Sequence, residues 1–249
     1  MILCIDIGNT NSRCAIGTKE NYRLVSAETN DFASVDSFTA FLYKHFGSEM
    51  PKIEGCMLSS VVPQRKADAM QALKMFDVKV VDLQNMGVDF SQYKTALGED
   101  RAVCAAAAVH KYCAPIIVID FGTATTVNVA NENKIFIGGA IMAGVQTGID
   151  ALARDTARLP RICLSDITDF TAVQPVGDNT YDGMVSGAVI GAACAIEGYI
   201  RRIKPLFTKP PTVIITGGNA AKVLPHCTFD FIYEPKLLIE GLFLLYENA

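Results

Sequence analysis

One short pattern occurs twice in this chain, and it restricts the fold more than any other feature. An apolar run, typical of a buried strand, ends in Asp-x-Gly. A turn rich in hydroxyl and amide side chains then leads into a second extended segment. The first copy ends at Asp6–Thr10 and the second at Asp120–Thr123. The copies lie about half the chain apart, which indicates a duplicated domain.

Strand-like and helix-like segments alternate along the chain, which is typical of the α/β class. The predicted strands lie at residues 1–5, 12–16, 78–81, 116–119, 125–130, 135–140 and 213–216. Apolar residues at helical spacing, or alanine-rich runs, predict helices at 37–46, 64–76, 101–112, 146–158, 182–203, 219–224 and 241–246. No Pro/Ser/Gly-rich linker separates the halves, so we expect two domains, 1–114 and 115–249, that pack closely.

Composition and charge exclude several classes of protein. The 249 residues are 50% hydrophobic and 19% charged, which excludes an extended disordered chain. A formal charge of −4 argues against nonspecific nucleic-acid binding, because such binding needs a basic surface. The N-terminus has no basic segment and reaches Asp6 directly, so we expect no signal peptide. The longest apolar stretch is interrupted by glycines, so we expect no membrane span.

Cysteine and histidine usage indicates a cytoplasmic protein without a structural metal. The eight cysteines include no CxxC pair, and the length of the chain argues against a secreted disulfide framework. We therefore expect buried, reduced thiols in a cytoplasmic protein. The three histidines (His45, His110 and His226) are too scattered to indicate a zinc site.

The two acidic turns have the chemistry of a phosphate clamp. A carboxylate at a strand end points into the crevice where α/β proteins bind ligands, and the adjacent glycine permits close approach of the backbone. The polar residues that follow supply donors for an anion, and the aspartates can hold a cation that screens phosphates. Two such hairpins facing each other would grip a polyphosphate. A single copy is more often an ordinary solvated turn, but the repetition at two strand ends favours the functional interpretation.

Two further segments have the residues of a binding site. Val213–Ala220 combines a strand, two glycines and a helix start, which would offer a surface for a base or sugar and a helix N-terminus for a phosphate. Tight packing of helix on strand explains it equally well. Gly98–Arg101 opens the alanine-rich helix, where Arg101 suits a bidentate carboxylate contact and Asp100 could accept a proton from a substrate hydroxyl. The structural alternative is an N-cap aspartate beside a solvated arginine.

Four motifs together resemble those of the type III pantothenate kinases. They are Asp6–Arg13 (DIGNTNSR), Gly98-x-Asp100-Arg101, Asp120–Thr126 (DFGTATT) and Thr216-Gly-Gly-Asn219. The Gly138-Gly139 pair, the 144–160 segment and Asn179-Thr180 before the long helix are also similar. Each motif is weak alone, but the ordered set is specific and spans essentially the whole chain. The usual P-loop, dinucleotide-binding and α/β-hydrolase signatures are absent.

The resemblance implies a fold and an activity. The family belongs to the superfamily of acetate and sugar kinases, heat-shock chaperones and actin. The implied fold is α/β, with two ribonuclease-H-like (actin-like ATPase) domains around a nucleotide cleft. The implied reaction is ATP-dependent phosphorylation of pantothenate to 4′-phosphopantothenate, the first step of coenzyme A biosynthesis. Such enzymes use ATP with Mg²⁺ and a monovalent cation, K⁺ or NH₄⁺. They are homodimers, and we expect no nucleic-acid or membrane partner.

The resemblance also implies roles for individual residues. Asp100 would be the general base, and Asp120 would bind the monovalent cation. The residues that would line ATP are Asp6, Ile7, Gly8, Asn9, Thr10, Asn11, Ser12, Arg13 and Thr123. Those that would contact pantothenate are Gly98, Glu99, Asp100, Arg101, Thr180 and, in a loop two residues shorter than the family's, Tyr93.

The chain departs from the family pattern near the predicted base, and two other functions stay open. The family usually has a small residue where Glu99 stands and a proline before the Gly-x-Asp-Arg segment, which is absent here. Ser91 occupies the position of the usual tyrosine. One alternative is an ATP-binding regulatory protein of the same fold without turnover, although a pure binder would need no base. The other is a kinase for another small alcohol, which only its substrate would distinguish.

Overall fold

The computed structural model describes residues 1–249 and divides them into two compact units. The first comprises Met1–Lys111 and Lys236–Ala249, and the second comprises Tyr112–Pro235. The strands are β1 (Ile2–Ile7), β2 (Asn11–Gly17), β3 (Tyr22–Glu28), β4 (Gly55–Ser60), β5 (Val80–Val81), β6 (Ile116–Phe121), β7 (Ala124–Ala130), β8 (Phe136–Ala143), β9 (Thr212–Thr216) and β10 (Ile232–Tyr233). The helices are α1 (Val35–Phe46), α2 (Pro63–Met75), α3 (Glu99–Tyr112), α4 (Val145–Asp155), α5 (Thr180–Ile203), α6 (Ala220–Val223) and α7 (Leu237–Glu247).

The two sheets have the same topology, which confirms the duplication predicted from the sequence. In the first unit the strand order is β3-β2-β1-β4-β5, and in the second it is β8-β7-β6-β9-β10. Each sheet begins with a three-strand antiparallel meander and continues with two strands parallel to the first strand of that meander. Asp6 and Asp120 are each the second-last residue of the central strand of their sheet.

The first sheet is buried on both faces because residues along β1 alternate between two layers of helix. Leu3, Ile5 and Ile7 are fully buried in a cluster that includes apolar residues of α1 and α2. On the other side, α7 packs against β1 and β4. Gly241 of α7 lies so close to α3 that a Cβ there would be 2.9 Å from the Cβ of Ala107. The C-terminal helix therefore completes the first core.

The second sheet is covered by α4 and α5 on one face. Val127 and Val129 of β7 lie in one buried cluster with Ile149 of α4 and Val189 of α5. Helix α5 and the turn that follows it, Thr180–Leu206, are long and apolar enough by length and composition to cross a membrane. This property is weak evidence for a span, because the core helix of a globular domain meets the same criterion.

The compact units differ from the predicted domains at the C-terminus. The predicted boundary at residues 114 and 115 lies close to the observed division, but 236–249 joins the first unit and not the second. The reason is that α7 is apolar on nearly all sides and covers the β1–β4 face of the first sheet. No strand was predicted at β3, β4 or β10, whereas every predicted strand and helix exists with shifted ends.

The cysteines are all free, and about half of them are buried. Cys4, Cys14, Cys56 and Cys104 are buried, whereas Cys113, Cys163 and Cys194 are exposed, so the expectation of burial is wrong for these three. Burial raises the pKa of the Cys4 and Cys14 thiols well above their ordinary value. These two side chains are therefore inert apolar fillers of the first core.

Candidate active site

The first acidic hairpin closes through its backbone at the end of β1. The amide of Gly8 donates to the carbonyl of Asn11 at 3.1 Å, and Asp6 pairs with Arg13 across the β1–β2 ladder. A Cβ at position 8 would lie 2.7 Å from that carbonyl oxygen, so the turn requires glycine. Asp6 is only 9% exposed. The hairpin thus holds a nearly buried carboxylate beside a tight turn.

The predicted phosphate-binding residues of this hairpin differ in exposure, and Gly8 and Arg13 are half-buried. Ile7 and Ser12 are buried, so their side chains support the turn. Asn9, Thr10 and Asn11 are exposed at its tip. The polar tip can therefore offer side-chain and backbone donors to an anion.

Thr29, which follows β3, holds the hairpin from behind. Its hydroxyl donates to the carbonyl of Gly8 at 2.8 Å and lies 2.9 Å from the hydroxyl of Ser12. Its amide donates to the carbonyl of Thr10 at 2.9 Å. Thr29 and Ser12 are both buried. Sequence reasoning missed Thr29 because it missed β3, whose pairing with β2 brings a residue 21 positions away to the turn.

Asp100 lies in the first turn of α3, where its carboxylate is largely withdrawn from water. Burial raises the pKa of this carboxyl above its ordinary value of 3.8, against the opposing effects of the Arg101 backbone and guanidinium. The amide of Arg101 donates to Asp100 Oδ1 at 2.7 Å. A Cβ at position 98 would lie 2.6 Å from the same oxygen, so Gly98 makes room for the carboxylate. A carboxyl with a raised pKa is suited to proton transfer.

Arg101 and Tyr93 form the neighbouring pair predicted to meet the substrate. Arg101 Nη1 donates to the Tyr93 hydroxyl at 3.2 Å, and the guanidinium carbon lies 5.6 Å from the centre of the ring. The structure therefore brings Tyr93 to the Gly98–Arg101 segment, although it stands two residues from the family position. A guanidinium held in this way is oriented for a planar, two-pronged contact with a carboxylate.

Glu99 is oriented by contacts with the protein. Its Oε2 accepts a hydrogen bond from the amide of Ser60 at 2.9 Å, and its Oε1 forms an ion pair with Lys66. Ser60 ends β4, the strand next to β1. Both carboxylate oxygens thus have protein partners.

The second hairpin is also closed through the amide of a glycine, by a turn one residue shorter, and is supported by a glycine loop. The amide of Gly122 donates to the carbonyl of Ala124 at 3.1 Å. The backbone of Asn219 donates to the carbonyl of Phe121 at 2.9 Å, and its side chain donates to that of Gly122 at 3.3 Å. A Cβ at Gly217 would lie 2.4 Å from Asp120 Oδ1. The glycines after β9 therefore leave space at the predicted cation ligand.

Thr123 and Thr180 lie at the same end of the second unit. Thr123, exposed at the tip of the hairpin, accepts hydrogen bonds through its carbonyl from the amide of Gly144 at 3.1 Å and the hydroxyl of Thr147 at 2.7 Å. Gly144 and Thr180 line one cavity of about 550 Å³ between α4 and α5. Asn179, which caps α5, accepts from the amide of Asp182 at 3.0 Å and so fixes Thr180 at the start of the helix.

The donor set fits a divalent ion that is bound chiefly by phosphates. No group of three or more His, Cys, Asp or Glu residues forms a metal-binding cluster. Mg²⁺ typically uses one or two protein carboxylates together with water and substrate phosphates, so it needs no such cluster. Asp6, beside the tip of the first hairpin, is a carboxylate of the required kind.

Comparisons with known proteins agree with these motifs. The model of the type III pantothenate kinase family matches residues 2–202. The chain belongs to the type III pantothenate kinase family. A relative from Geobacillus thermodenitrificans (strain NG80-2), named type III pantothenate kinase, is 34% identical over 257 residues. The match covers 100% of this chain and 98% of that protein. This pantothenate kinase therefore catalyses ATP-dependent phosphorylation of pantothenate for coenzyme A biosynthesis, with a divalent metal.

Solved structures confirm the predicted fold of the pantothenate kinase. The activator of 2-hydroxyisocaproyl-CoA dehydratase from Clostridium difficile, with bound ADPNP, superposes with a TM-score of 0.61 at 14% identity. That match covers 99% of this chain and 94% of the activator. An inorganic polyphosphate/ATP-glucomannokinase from Arthrobacter gives a TM-score of 0.51 at 13% identity, with 100% and 99% coverage. The fold is that of the actin-like ATPases and sugar kinases.

Replacing Thr29 with valine should loosen the first hairpin. The change leaves the Ser12 hydroxyl and the Gly8 carbonyl without their shared partner, and a buried unpaired polar group costs about 1–3 kcal/mol. We expect lower stability to urea and a raised KM for ATP, with a smaller change in KM for pantothenate. Thr39→Val, which removes a hydroxyl bonded within α1, is the control. An unchanged KM for ATP in Thr29→Val would show that Thr29 does not affect the nucleotide site.

Proposed function

We propose that Asp100 is the general base of the pantothenate kinase reaction. The 4′-hydroxyl oxygen of pantothenate forms a bond to the γ-phosphorus of ATP while the bond to the bridging oxygen breaks and ADP leaves. The proton of the hydroxyl passes to Asp100. The observation that carries the proposal is the position of this carboxylate, partly buried with a raised pKa beside Arg101 and Gly98. In a loose transition state the base accepts the proton late, so a carboxylate suffices.

The two hairpins supply the phosphate contacts in this proposal. The exposed tip of Asp6–Arg13, together with Thr123, donates to the phosphate oxygens of ATP. Mg²⁺, when bound, neutralises charge on the β- and γ-phosphates, and Asp6 is the residue of the first hairpin that would hold it. The closed backbone turn and the Thr29 contacts fix these donors before the nucleotide arrives, which reduces the reorganisation that binding requires.

In this proposal, the residues around the start of α3 and Thr180 bind pantothenate. Arg101, held by the Tyr93 hydroxyl, binds the pantothenate carboxylate, and Gly98 lets the substrate approach the backbone. Thr180 contributes a hydroxyl from the first turn of α5. Pantothenate has a single negative charge at the end opposite its 4′-hydroxyl, so one guanidinium and one base define its direction in the site.

Asp120 binds the monovalent cation, K⁺ or NH₄⁺, in this proposal. Its carboxylate lies against Gly217, where a side chain would fill the adjacent space, and beside the backbone carbonyls of the second hairpin. A carboxylate combined with carbonyl oxygens is a suitable donor set for a hard, weakly charged cation. The rate of the wild-type and Asp120→Ala enzymes as K⁺ is added measures this role.

The homodimer is supported by one face of α5. Gly183, Gly187 and Gly191 follow one another at intervals of four and are exposed, and a methyl group at any of them would meet no atom within 4 Å. Glycine inside a helix costs about 0.5–1 kcal/mol relative to alanine, and no packing within the chain offsets that cost here. Close approach of the same face of a second copy would account for the three glycines.

The reduced thiols and the substrates support a cytoplasmic location in this proposal. All eight cysteines are free, and disulfides are rare in the cytoplasm. ATP and pantothenate are small molecules, so the reaction itself requires neither a nucleic acid nor a membrane as partner.

Asp100→Asn should fold and lose turnover by about 10²-fold or more, because the amide cannot accept the proton. Mass spectrometry of the products after incubation with ATP, Mg²⁺, K⁺ and pantothenate measures the change. The rate of the wild type should fall as pH decreases through a pKa above 3.8, because the protonated carboxyl is no base. Any residual rate of Asp100→Asn should not show this decrease at low pH. Asp155→Asn, in an exposed ion pair, is the control, and an active Asp100→Asn would remove Asp100 from catalysis.

Arg101→Ala should raise KM for pantothenate about 10- to 100-fold, the loss expected for a charged hydrogen-bonded contact, and affect KM for ATP much less. Pantothenol, in which an alcohol replaces the carboxylate, provides the matched substrate. The wild type should prefer pantothenate strongly, and the variant should not. If Arg101→Ala lost activity equally with pantothenate and pantothenol, the carboxylate contact would be refuted. An equal rise in KM for ATP and for pantothenate would also refute it.

Gly187→Leu should convert the homodimer to a monomer, because the leucine side chain would occupy the space that a second helix needs. Light scattering coupled to size-exclusion chromatography gives the mass of each form. Tyr43→Leu, at an exposed position of α1, should leave the dimer intact. A dimeric Gly187→Leu protein would place the interface elsewhere.

A further inference from the structure

We propose that Glu99 is a positioning residue that fixes Asp100 against the end of strand β4, beside β1, and does not contact pantothenate. This inference rests on the proposed role of Asp100 as the base. It assigns a function to a residue that the resemblance had placed in contact with pantothenate.

Both oxygens of the Glu99 carboxylate are engaged inside the first unit. Oε2 accepts from the amide of Ser60 at 2.9 Å, and Oε1 pairs with the ammonium of Lys66 on α2. The side chains of Glu99 and Lys66 are 31% and 36% exposed, so the pair is partly shielded from water. A hydrogen bond from a backbone amide to a carboxylate is stronger than one between neutral groups. The carboxylate is therefore oriented toward the sheet.

The partner of Glu99 belongs to β4, the strand that pairs with β1 at the base of the first hairpin. Ser60 pairs with Ile7 in the parallel β1–β4 ladder, and the amide of Val61 donates to the carbonyl of Ile7 at 3.1 Å. The Ser60 hydroxyl accepts from the amide of Val62 at 3.1 Å, which fixes the strand end itself. Glu99 thus connects the first residue of α3 to the strand pair that contains Asp6.

The position of Asp100 depends on this connection because a glycine, Gly98, precedes Glu99 at the start of α3. A Cβ at position 98 would lie 2.6 Å from the Asp100 carboxylate, a contact that glycine avoids, but glycine also gives the chain before α3 more conformational freedom than any other residue. Glu99, between Gly98 and Asp100, connects the start of α3 to the end of β4. A displacement of about 1 Å at a reacting group can cost about 10²-fold in rate. Loss of the Glu99 contact should therefore reduce turnover more than substrate binding.

The test compares Glu99→Ala and Glu99→Gln with a matched control. Glu49→Gln removes the same charge from an ion pair with Arg23 in the same unit, away from α3. We expect Glu99→Ala to lower kcat about 10- to 100-fold while KM for pantothenate changes less than about 3-fold. Glu99→Gln keeps an oxygen for the Ser60 amide, so its kcat should stay within about 5-fold of the wild type. Lys66→Met should behave like Glu99→Gln, and Glu49→Gln like the wild type.

Hydrogen exchange at the Ser60 amide supplies a readout that does not depend on activity. Exchange should accelerate in Glu99→Ala and stay close to wild-type rates in Glu99→Gln and Glu49→Gln. Thermal unfolding, followed by circular dichroism, establishes that each variant is folded. If Glu99→Ala does not fold, Glu99→Gln and Lys66→Met decide the question through the same kinetics.

Three results would overturn the inference. A raised KM for pantothenate at constant kcat in both Glu99 variants would make the residue a substrate contact. Wild-type kinetics in Glu99→Ala would leave it without a role in turnover, and unchanged Ser60 exchange would remove the contact itself. Failure of the proposed function would give a different result. An active Asp100→Asn enzyme would show that Asp100 is not the base, whereas exchange at the Ser60 amide would still report whether Glu99 makes its contact.

Discussion

The acidic hairpin at the end of each central strand is the constraint on which the rest of this structure depends. Asp6 and Asp120 hold equivalent positions in two sheets of equal topology, one residue before the strand ends. A glycine two residues further on lets the backbone close the turn, through Gly8 in one unit and Gly122 in the other. Moving either carboxylate by one residue would turn it to the opposite face of its sheet, because side chains alternate along a strand. The register of each central strand therefore determines on which face of the sheet the carboxylate lies, and so where it can meet a ligand.

At the start of α3, a group suited to catalysis lowers the stability of the folded protein. A partly buried carboxylate with a raised pKa is less stable when ionised in the folded protein than in the unfolded chain. Above its pKa, Asp100 thus lowers the stability of the protein relative to a neutral group of the same shape. Neighbouring groups limit the loss, because the Arg101 amide donates to the carboxylate and the Arg101 charge opposes the shift. Such a position fits catalysis better than it fits structure.

Local patterns predicted much of the fold, and long-range contacts account for what they did not predict. The strands before Asp6 and Asp120 were predictable because both are uninterrupted apolar runs, and α3 because of its alanines. β3 was missed because all seven of its residues are half-buried or exposed. The assignment of α7 to the first unit depends on which sheet face lacked a cover, and nothing in residues 236–249 alone encodes that.

The candidate site divides in the same way. The glycines, aspartates and Arg101 stand in short motifs whose chemistry is visible locally, so they could be named from the sequence. Thr29 and Ser60 could not, because they act through backbone or hydroxyl contacts that exist only once the strands pair. The same holds for Lys66, an ordinary surface-type residue of α2 until Glu99 is placed beside it.

The two copies of the hairpin have diverged in their supports while keeping their backbone closure. In the first unit a side chain, Thr29, reaches the turn from β3. In the second unit the turn is supported by the backbone and side chain of Asn219, by the amide of Gly144 and by the hydroxyl of Thr147. Duplication thus preserved the part of the motif that fixes a carboxylate at a strand end, and the surrounding residues were free to change.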